Sequence, residues 1–271
     1  MTNTYHLQIP RQLEQYRGIL EESAKTYIKI TGELGETTLF ESKFGGYPYV
    51  PIHHEHPKDS NGQPMMLFVQ LNFREIPHIE FVPKKGLLQF FVSGDDDLVG
   101  ADFDHPTKQK DFRIIYHAEL TQDETQIVSD FSYLNAIDSE NFIVPRAAKL
   151  RFEAGYQPVT LGDYRFEEFF RDAIHLEEID DDSVEMELHR LYNKYFESQG
   201  HKIGGYPFFT QTDPREWEET YQEHNILLLQ IDTDDSLGIM WEDFGIANFF
   251  IRKEDLLNLN FSNVLYNWDC C

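Results

Sequence analysis

The chain carries one passage twice. Lys43-Phe44-Gly45-Gly46-Tyr47-Pro48 returns as Lys202-Ile203-Gly204-Gly205-Tyr206-Pro207, an offset of 204 − 45 = 159. Leu67-Phe68-Val69-Gln70-Leu71-Asn72 returns as Leu227-Leu228-Leu229-Gln230-Ile231-Asp232, and 230 − 70 = 160. Gly86-Leu87-Leu88-Gln89-Phe90-Phe91-Val92 returns as Gly245-Ile246-Ala247-Asn248-Phe249-Phe250-Ile251, again at 245 − 86 = 159. Three matching blocks in one order at nearly one offset mean an internal duplication. A duplicated unit is expected to fold as two similar halves about a pseudo-twofold axis.

The blocks have the texture of strands. Gly-Gly-Tyr-Pro reads as a turn, because Gly supplies backbone angles other residues avoid and Pro fixes φ and donates no hydrogen bond. Met65–Asn72 and Gly86–Val92 are short apolar runs bounded by Pro64, Pro77, Pro83 and Gly94. Their length and their Phe, Val and Leu content favour buried strands over helices. Phe112–Leu120 reads as a further strand. Ile114-Ile115-Tyr116-His117 resembles Val264-Leu265-Tyr266-Asn267 at an offset of 264 − 114 = 150. With Asp96 and Leu98 matching Asp255 and Leu257, the copies span about 43–117 and 202–267.

Around the copies the pattern changes. Pro10 followed by Leu13, Tyr16, Leu20 and Ala24 predicts a helix over 10–24. Thr26–Ile30 alternates, and Gly32 and Gly35 punctuate an expected hairpin up to Phe40. Residues 163–200 read as a helical connector. Phe166, Phe169, Phe170, Ala173 and Ile174 share one helical face behind an Asp163 cap, and Glu177–Asp182 breaks the pattern. Asp182 and Glu185 resemble a capping box, ahead of a second face of Val184, Leu188, Leu191, Tyr192 and Tyr195, which Gly200 ends. Asp213-Pro214-Arg215-Glu216 looks like another helix start. The fold expected is a single duplicated α+β domain over 1–271, mainly antiparallel, with helices packed between and outside the copies.

Composition narrows function by exclusion. The 48 acidic residues against 23 basic ones give a formal charge of −25. Such a field repels nucleic acid and anionic lipid and attracts a cation or a basic protein. No N-terminal stretch has the apolar core of a signal peptide, and no run of about 18 apolar residues spans a bilayer. The two cysteines are the adjacent Cys270 and Cys271, which fit disulfide geometry poorly, so the compartment expected is the reducing cytoplasm.

Candidate chemistry is sparse. His53, His54 and His56 offer adjacent imidazoles, but their spacing matches no standard zinc pattern and the second copy has Thr212 and Asp213 there. No metal or cofactor is expected. Asp95-Asp96-Asp97, Asp180-Asp181-Asp182 and Asp232-Thr233-Asp234-Asp235 do not satisfy a calcium loop. From Asp232, Ser236 and Leu237 fall where that loop needs Asp and Gly. There is no G-x-S-x-G, H-E-x-x-H, C-x-x-C or phosphate loop.

The polar residues inside apolar strands stand out. Gln70, Asn72 and Gln89 have as copies Gln230, Asp232 and Asn248. Two roles fit. They satisfy strand edges and the Gly-Gly turn, or they converge near the dyad as a binding site that the glycines let a ligand approach.

The K-x-G-G-Y-P turn, the strand ending in Gln-x-Asn or Gln-x-Asp, and the Gly-x-x-Gln-Phe-Phe strand together resemble the YwqG-like family of bacterial proteins, over about residues 40–268. That family is one of unknown function, so the resemblance implies a duplicated α+β cytosolic protein and no activity, cofactor or catalytic residue. Two function classes remain. One is a non-enzymatic binding or interaction module with an acidic surface for a basic partner. The other is a small-molecule binding protein or hydrolase-like enzyme with a polar site between the halves.

Overall fold

A computed structural model describes residues 7–94, 97–135, 142–171, 182–196 and 198–271, with the side chains of 182–188 outside the description. The first strand, β1, is Lys25–Leu34, followed by β2 (Lys43–Phe44), β3 (Met66–Asn72), β4 (Leu87–Val92) and β5 (Phe112–His117). The second set is β6 (Ala148–Gln157), β7 (His201–Gly204), β8 (Ile226–Asp232), β9 (Ile246–Ile251) and β10 (Val264–Asp269). All ten form one sheet in the order β10-β9-β8-β7-β1-β6-β2-β3-β4-β5, with every pairing antiparallel.

This corrects the expected α+β architecture with two pseudo-twofold halves. The sheet is one curled half-barrel, and the helix among the described residues amounts to only 19 % of the chain. The reason lies in β1 and β6. β1 pairs with β7 of the second set, β6 pairs with β2 of the first, and β1 and β6 pair with each other along their whole length. Each strand that would have begun a half is built into the other side, so no boundary remains. The expected hairpin from Thr26 to Phe40 is likewise replaced, since β1 runs straight through Gly32 and finds both partners far away in sequence.

Sequence reading missed β6. Ala148, Leu150, Phe152 and Ala154 alternate with Lys149, Arg151, Glu153 and Gly155, the period-2 signature of a half-buried strand. The last repeat match also needs correcting. Leu87 faces His117, and its counterpart Ile246 faces Asp269, so the offset in β5 and β10 is 269 − 117 = 152, not 150. A shift of two residues keeps every side chain on its own face, so the hydrophobic pattern could not tell the two registers apart.

The curl follows from local devices and a shared core. β3 and β8 each carry a bulge at the same place, between Leu67 and Val69 and between Leu227 and Leu229, which increases twist. The sheet edges then meet across the inside. The Phe112 ring of β5 lies 5.1 Å from Tyr266 of β10, Phe90 lies 5.0 Å from Phe249, and Phe249 stacks on Tyr266 at 4.4 Å. Outside the curl, a smaller core of Leu13, Leu20, Val159, Phe166, Phe170, Tyr192 and Tyr206 seats the helices.

Those helices are shorter than expected. Residues 11–16 form a 3-10 turn that leads into α1 (Arg17–Ser23), α2 is Phe166–Phe170 and α3 is Asp182–Tyr195. Ala173, Ile174, Glu177 and the acids Asp180 and Asp181 lie outside the described residues, as do Asp95, Asp96 and the side chains of Val184, Glu185 and Leu188. Asp163 does not cap α2 as its N-cap residue. That position is Arg165, and the Asp163 carboxylate accepts from its N–H. α4 (Pro214–Trp217) starts as read, with Asp213 accepting from the Arg215 N–H.

Gly45, Gly46, Gly204 and Gly205 all sit at positive φ, between 56° and 73°. An added Cβ at Gly204 would meet Ile79 Cδ1 at 2.9 Å, and at Gly205 would meet Tyr27 Cβ at 2.9 Å. Ala at either position is expected to lower stability by about 1 kcal/mol or more, read as a lower urea midpoint. Unchanged midpoints at all four glycines would refute a conformational requirement.

Candidate functional site

The six sequence-picked polar residues form two separate sets. Gln70 faces Lys43 on one side and Gln89 on the other; Gln230 faces Lys202 and Asn248. Between β3 and β8 lie five strand steps, about 24 Å along the sheet. The structure does not bring the two sets together.

Each set instead fastens its own loops. Gln70 Nε2 donates to the carbonyls of Leu39 (2.9 Å) and Glu41 (2.8 Å). Its Oε1 accepts from the Tyr49 N–H and from Gln89 Nε2. Gln89 Nε2 also donates to Tyr49 O, and Asn72 Nδ2 donates to Phe40 O. On the other side Gln230 Nε2 donates to Ser198 O and Gly200 O, and Oε1 accepts from the Phe208 N–H. Asn248 Nδ2 donates to Phe208 O, and the Asp232 carboxylate accepts from the Gly200 N–H at 2.6 Å. A side-chain amide thus replaces the ladder partner that the chain before β2 or β7, and after each Gly-Gly-Tyr-Pro, lacks.

The two lysines of the repeated motif share this work. Lys43 Nζ donates to Thr38 O and Tyr47 O, and Lys202 Nζ donates to Ser198 O. Burial pushes the Lys202 ammonium down to about 7 from an ordinary 10.5, and Lys43 down to about 8. Between about pH 10 and pH 7 the unfolded chain therefore holds more protons at Lys202 than the folded one. That share of stability falls as pH drops through this window and is flat below it. Unfolding free energy measured from pH 7 to 10 should rise more steeply in the wild type than in Lys202→Met. Parallel curves would refute the coupling.

The histidines do not form a metal centre. His56 has both ring nitrogens engaged, Nε2 with Met65 O at 2.7 Å and Nδ1 with the Tyr133 hydroxyl at 3.1 Å. His54 stacks on His117, and His53 is exposed. Among the described residues no three His, Cys, Asp or Glu side chains are placed to hold a metal ion. Asp234 is drawn well below the usual carboxylate range by its bond to His201 and caps its own turn through Ser236.

Sequence reading did not find a buried cluster of charged residues. Arg215 is fully buried, donates from Nε and Nη2 to the Asp213 carboxylate at 2.9 and 2.6 Å, and reaches Asp163 at 3.2 Å. Arg165 holds Asp163 from the other side at 2.6 and 2.7 Å. The guanidinium of Arg215 also lies 3.9 Å from the Phe250 ring centre. Every charge here has a partner, so the cluster ties the 160s segment to α4.

An open aromatic cleft is different in kind. It has a volume of about 700 Å³ and is walled by Leu98, Phe103, Trp217 and Trp268, with Asp97 and Glu242 beside them. Trp217 is 74 % exposed, Phe103 51 % and Leu98 47 %. Isolated exposed apolar residues are ordinary, but a group of large ones around one hollow is not. Backbone strain gathers here too. Val99 (φ 51°), Glu242 (45°) and Phe244 (56°) occupy the left-handed region, which is a true outlier for β-branched Val99. Two bonds hold the strained segment in place, Trp268 Nε1 to Leu98 O and the Tyr266 hydroxyl to Val99 O. Strain kept this way concentrates at functional sites. A third carboxylate of the cleft, Asp269, is occupied by Thr210 and the Gln211 N–H.

Residues 42–270 match the family described as Domain of unknown function (DUF1963). The chain belongs to that family. No curated protein matches it. The DUF1963 match takes in the cleft and both sets of amides and leaves out β1, the strand at the middle of the sheet. Among the described residues of this DUF1963 protein, no helix is long and apolar enough to cross a membrane.

Proposed function

We propose that this protein is a non-catalytic, cytosolic interaction module of the YwqG-like kind, and that it holds a basic peptide segment in the aromatic cleft. The observation that carries this reading is the exposed Trp217 facing a cleft bordered by Asp97 and Glu242, in a chain of formal charge −25. An aromatic wall attracts the stem and charge of Lys or Arg, and carboxylates at the rim steer the approach. The repeated motifs around Gly45-Gly46 and Gly204-Gly205 support placement among the YwqG-like proteins. Among the described residues the only buried carboxylate of the cleft, Asp269, is already taken by three donors, which favours binding over acid–base chemistry.

A Lys-rich peptide with interspersed Leu should quench Trp217 fluorescence at low salt. Trp217→Ala should weaken it about tenfold or more, in the range of an aromatic hot spot. Binding should fall steeply as salt rises to about 1 M, where screening acts within about 3 Å. An acetylated peptide that binds equally well, or binding retained at high salt, would refute the proposal.

A further inference from the structure

A second cleft opens where the two copies differ in side-chain size. Lys29 faces Lys202 as Lys149 faces Lys43, so β1 and β6 correspond at an offset of 149 − 29 = 120. Ala24 then takes the place of Val144, as Ile203 takes that of Phe44 and Leu228 that of Phe68. Phe44, Phe68 and Val144 are all buried in the main core. Each of the three counterparts is smaller. Protein interiors are filled to near-crystal density, so volume lost at matched positions leaves a space. That space is a cavity of about 410 Å³ lined by Ala24, Ile203 and Leu228, within the range of small-molecule sites.

Its walls lie on the inner side of the curl. Ile79, Val82, Ile203, Leu228 and Leu256, the last from α5 (Lys253–Leu257), line it and belong to the one core there. Thr26 and Tyr156 line it as well and face each other across β1 and β6. Alternation along the strands puts both on the side of Ile28 and Ala154, which pack in that same core. Among the described residues neither hydroxyl makes a hydrogen bond. Of the two charged neighbours, Lys25 lies on the opposite face, over Tyr206, and Glu80 is exposed. Phe81 completes the wall at φ 71°, backbone strain of the kind kept at binding sites. Apolar walls with two free hydroxyls and no inward charge select an uncharged ligand with an apolar body and one polar end.

We propose that this cavity binds a small uncharged alcohol, its apolar chain against Ile79, Ile203 and Leu228 and its hydroxyl bonded to Tyr156 and Thr26. The site shares no lining residue with the aromatic cleft and does not depend on it.

The test uses the full chain titrated calorimetrically with octanol, the terminal octanediol and octanoate. Octanol should bind with a dissociation constant below about 1 mM. The diol would bury a second hydroxyl among apolar walls, and octanoate would bring an uncompensated charge. Each should bind about tenfold or more weakly than octanol. Ile203→Phe combined with Leu228→Phe restores the residues of the first copy, and should abolish octanol binding without lowering the melting temperature. Tyr156→Phe should weaken octanol about fivefold, the worth of one hydrogen bond. In the wild type, amide chemical shifts of Phe81, Gly204 and Leu228 should move on adding octanol. This readout stands even if the double variant does not fold. No binding below about 1 mM, diol or octanoate binding as tightly as octanol, affinity retained in a folded double variant or unchanged in Tyr156→Phe, or shifts confined to other residues would each overturn the proposal.

Discussion

Arg215→Met is expected to destabilise the protein by about 3–5 kcal/mol, the usual cost of removing one partner from a buried ion pair. The side chain is wholly buried and bridges Asp213 and Asp163, which are themselves buried. Met fills much of the volume against Phe250 but leaves Asp213 without its cation, while Arg165 still holds Asp163. Adding Asp213→Asn removes the stranded charge, so the double variant should be less destabilised than the sum of the two single changes, a coupling expected for residues in contact. Denaturant titrations of the four proteins measure this. A near-neutral Arg215→Met, or strict additivity, would show that the network carries little of the fold.

Gln70→Leu and Gln230→Leu should each cost about 3 kcal/mol or more, and nearly the same in sum when combined. Each amide serves three backbone groups: Leu39 O, Glu41 O and the Tyr49 N–H for Gln70, and Ser198 O, Gly200 O and the Phe208 N–H for Gln230. A buried backbone group left without a partner costs about 1–3 kcal/mol, and Leu supplies none. Additivity is expected because five strand steps separate the sites. Measured melting temperatures and urea midpoints decide the matter. A pair of substitutions that leaves stability intact would return these residues to the role of ligand contacts.

The strands inside the repeats were legible because each is a short apolar run closed by Gly or Pro, and both signals are local. The N-terminus of α4 was legible for the same reason, since Asp213 and Pro214 act on the turn they begin. The amides were visible as polar residues in apolar strands. Their partners were not, because the loops they fasten lie from 21 to 40 residues away. The exposed Trp217 gave no sign either, since exposure is a property of what fails to pack on a residue.

By itself the sequence determined that two matched sets of buried strands would form, that Gly-Gly turns would join them, and that the surface would be strongly negative. Periodicity and backbone preference act over a few residues and suffice for that. Only the tertiary structure decided that β1 and β6 exchange sides and close the strands into one sheet, because strand pairing carries no local label for its partner. It also decided the two-residue register of β10 and both clefts. These depend on which distant faces meet, and a hydrophobic pattern of period two is satisfied equally by several such meetings.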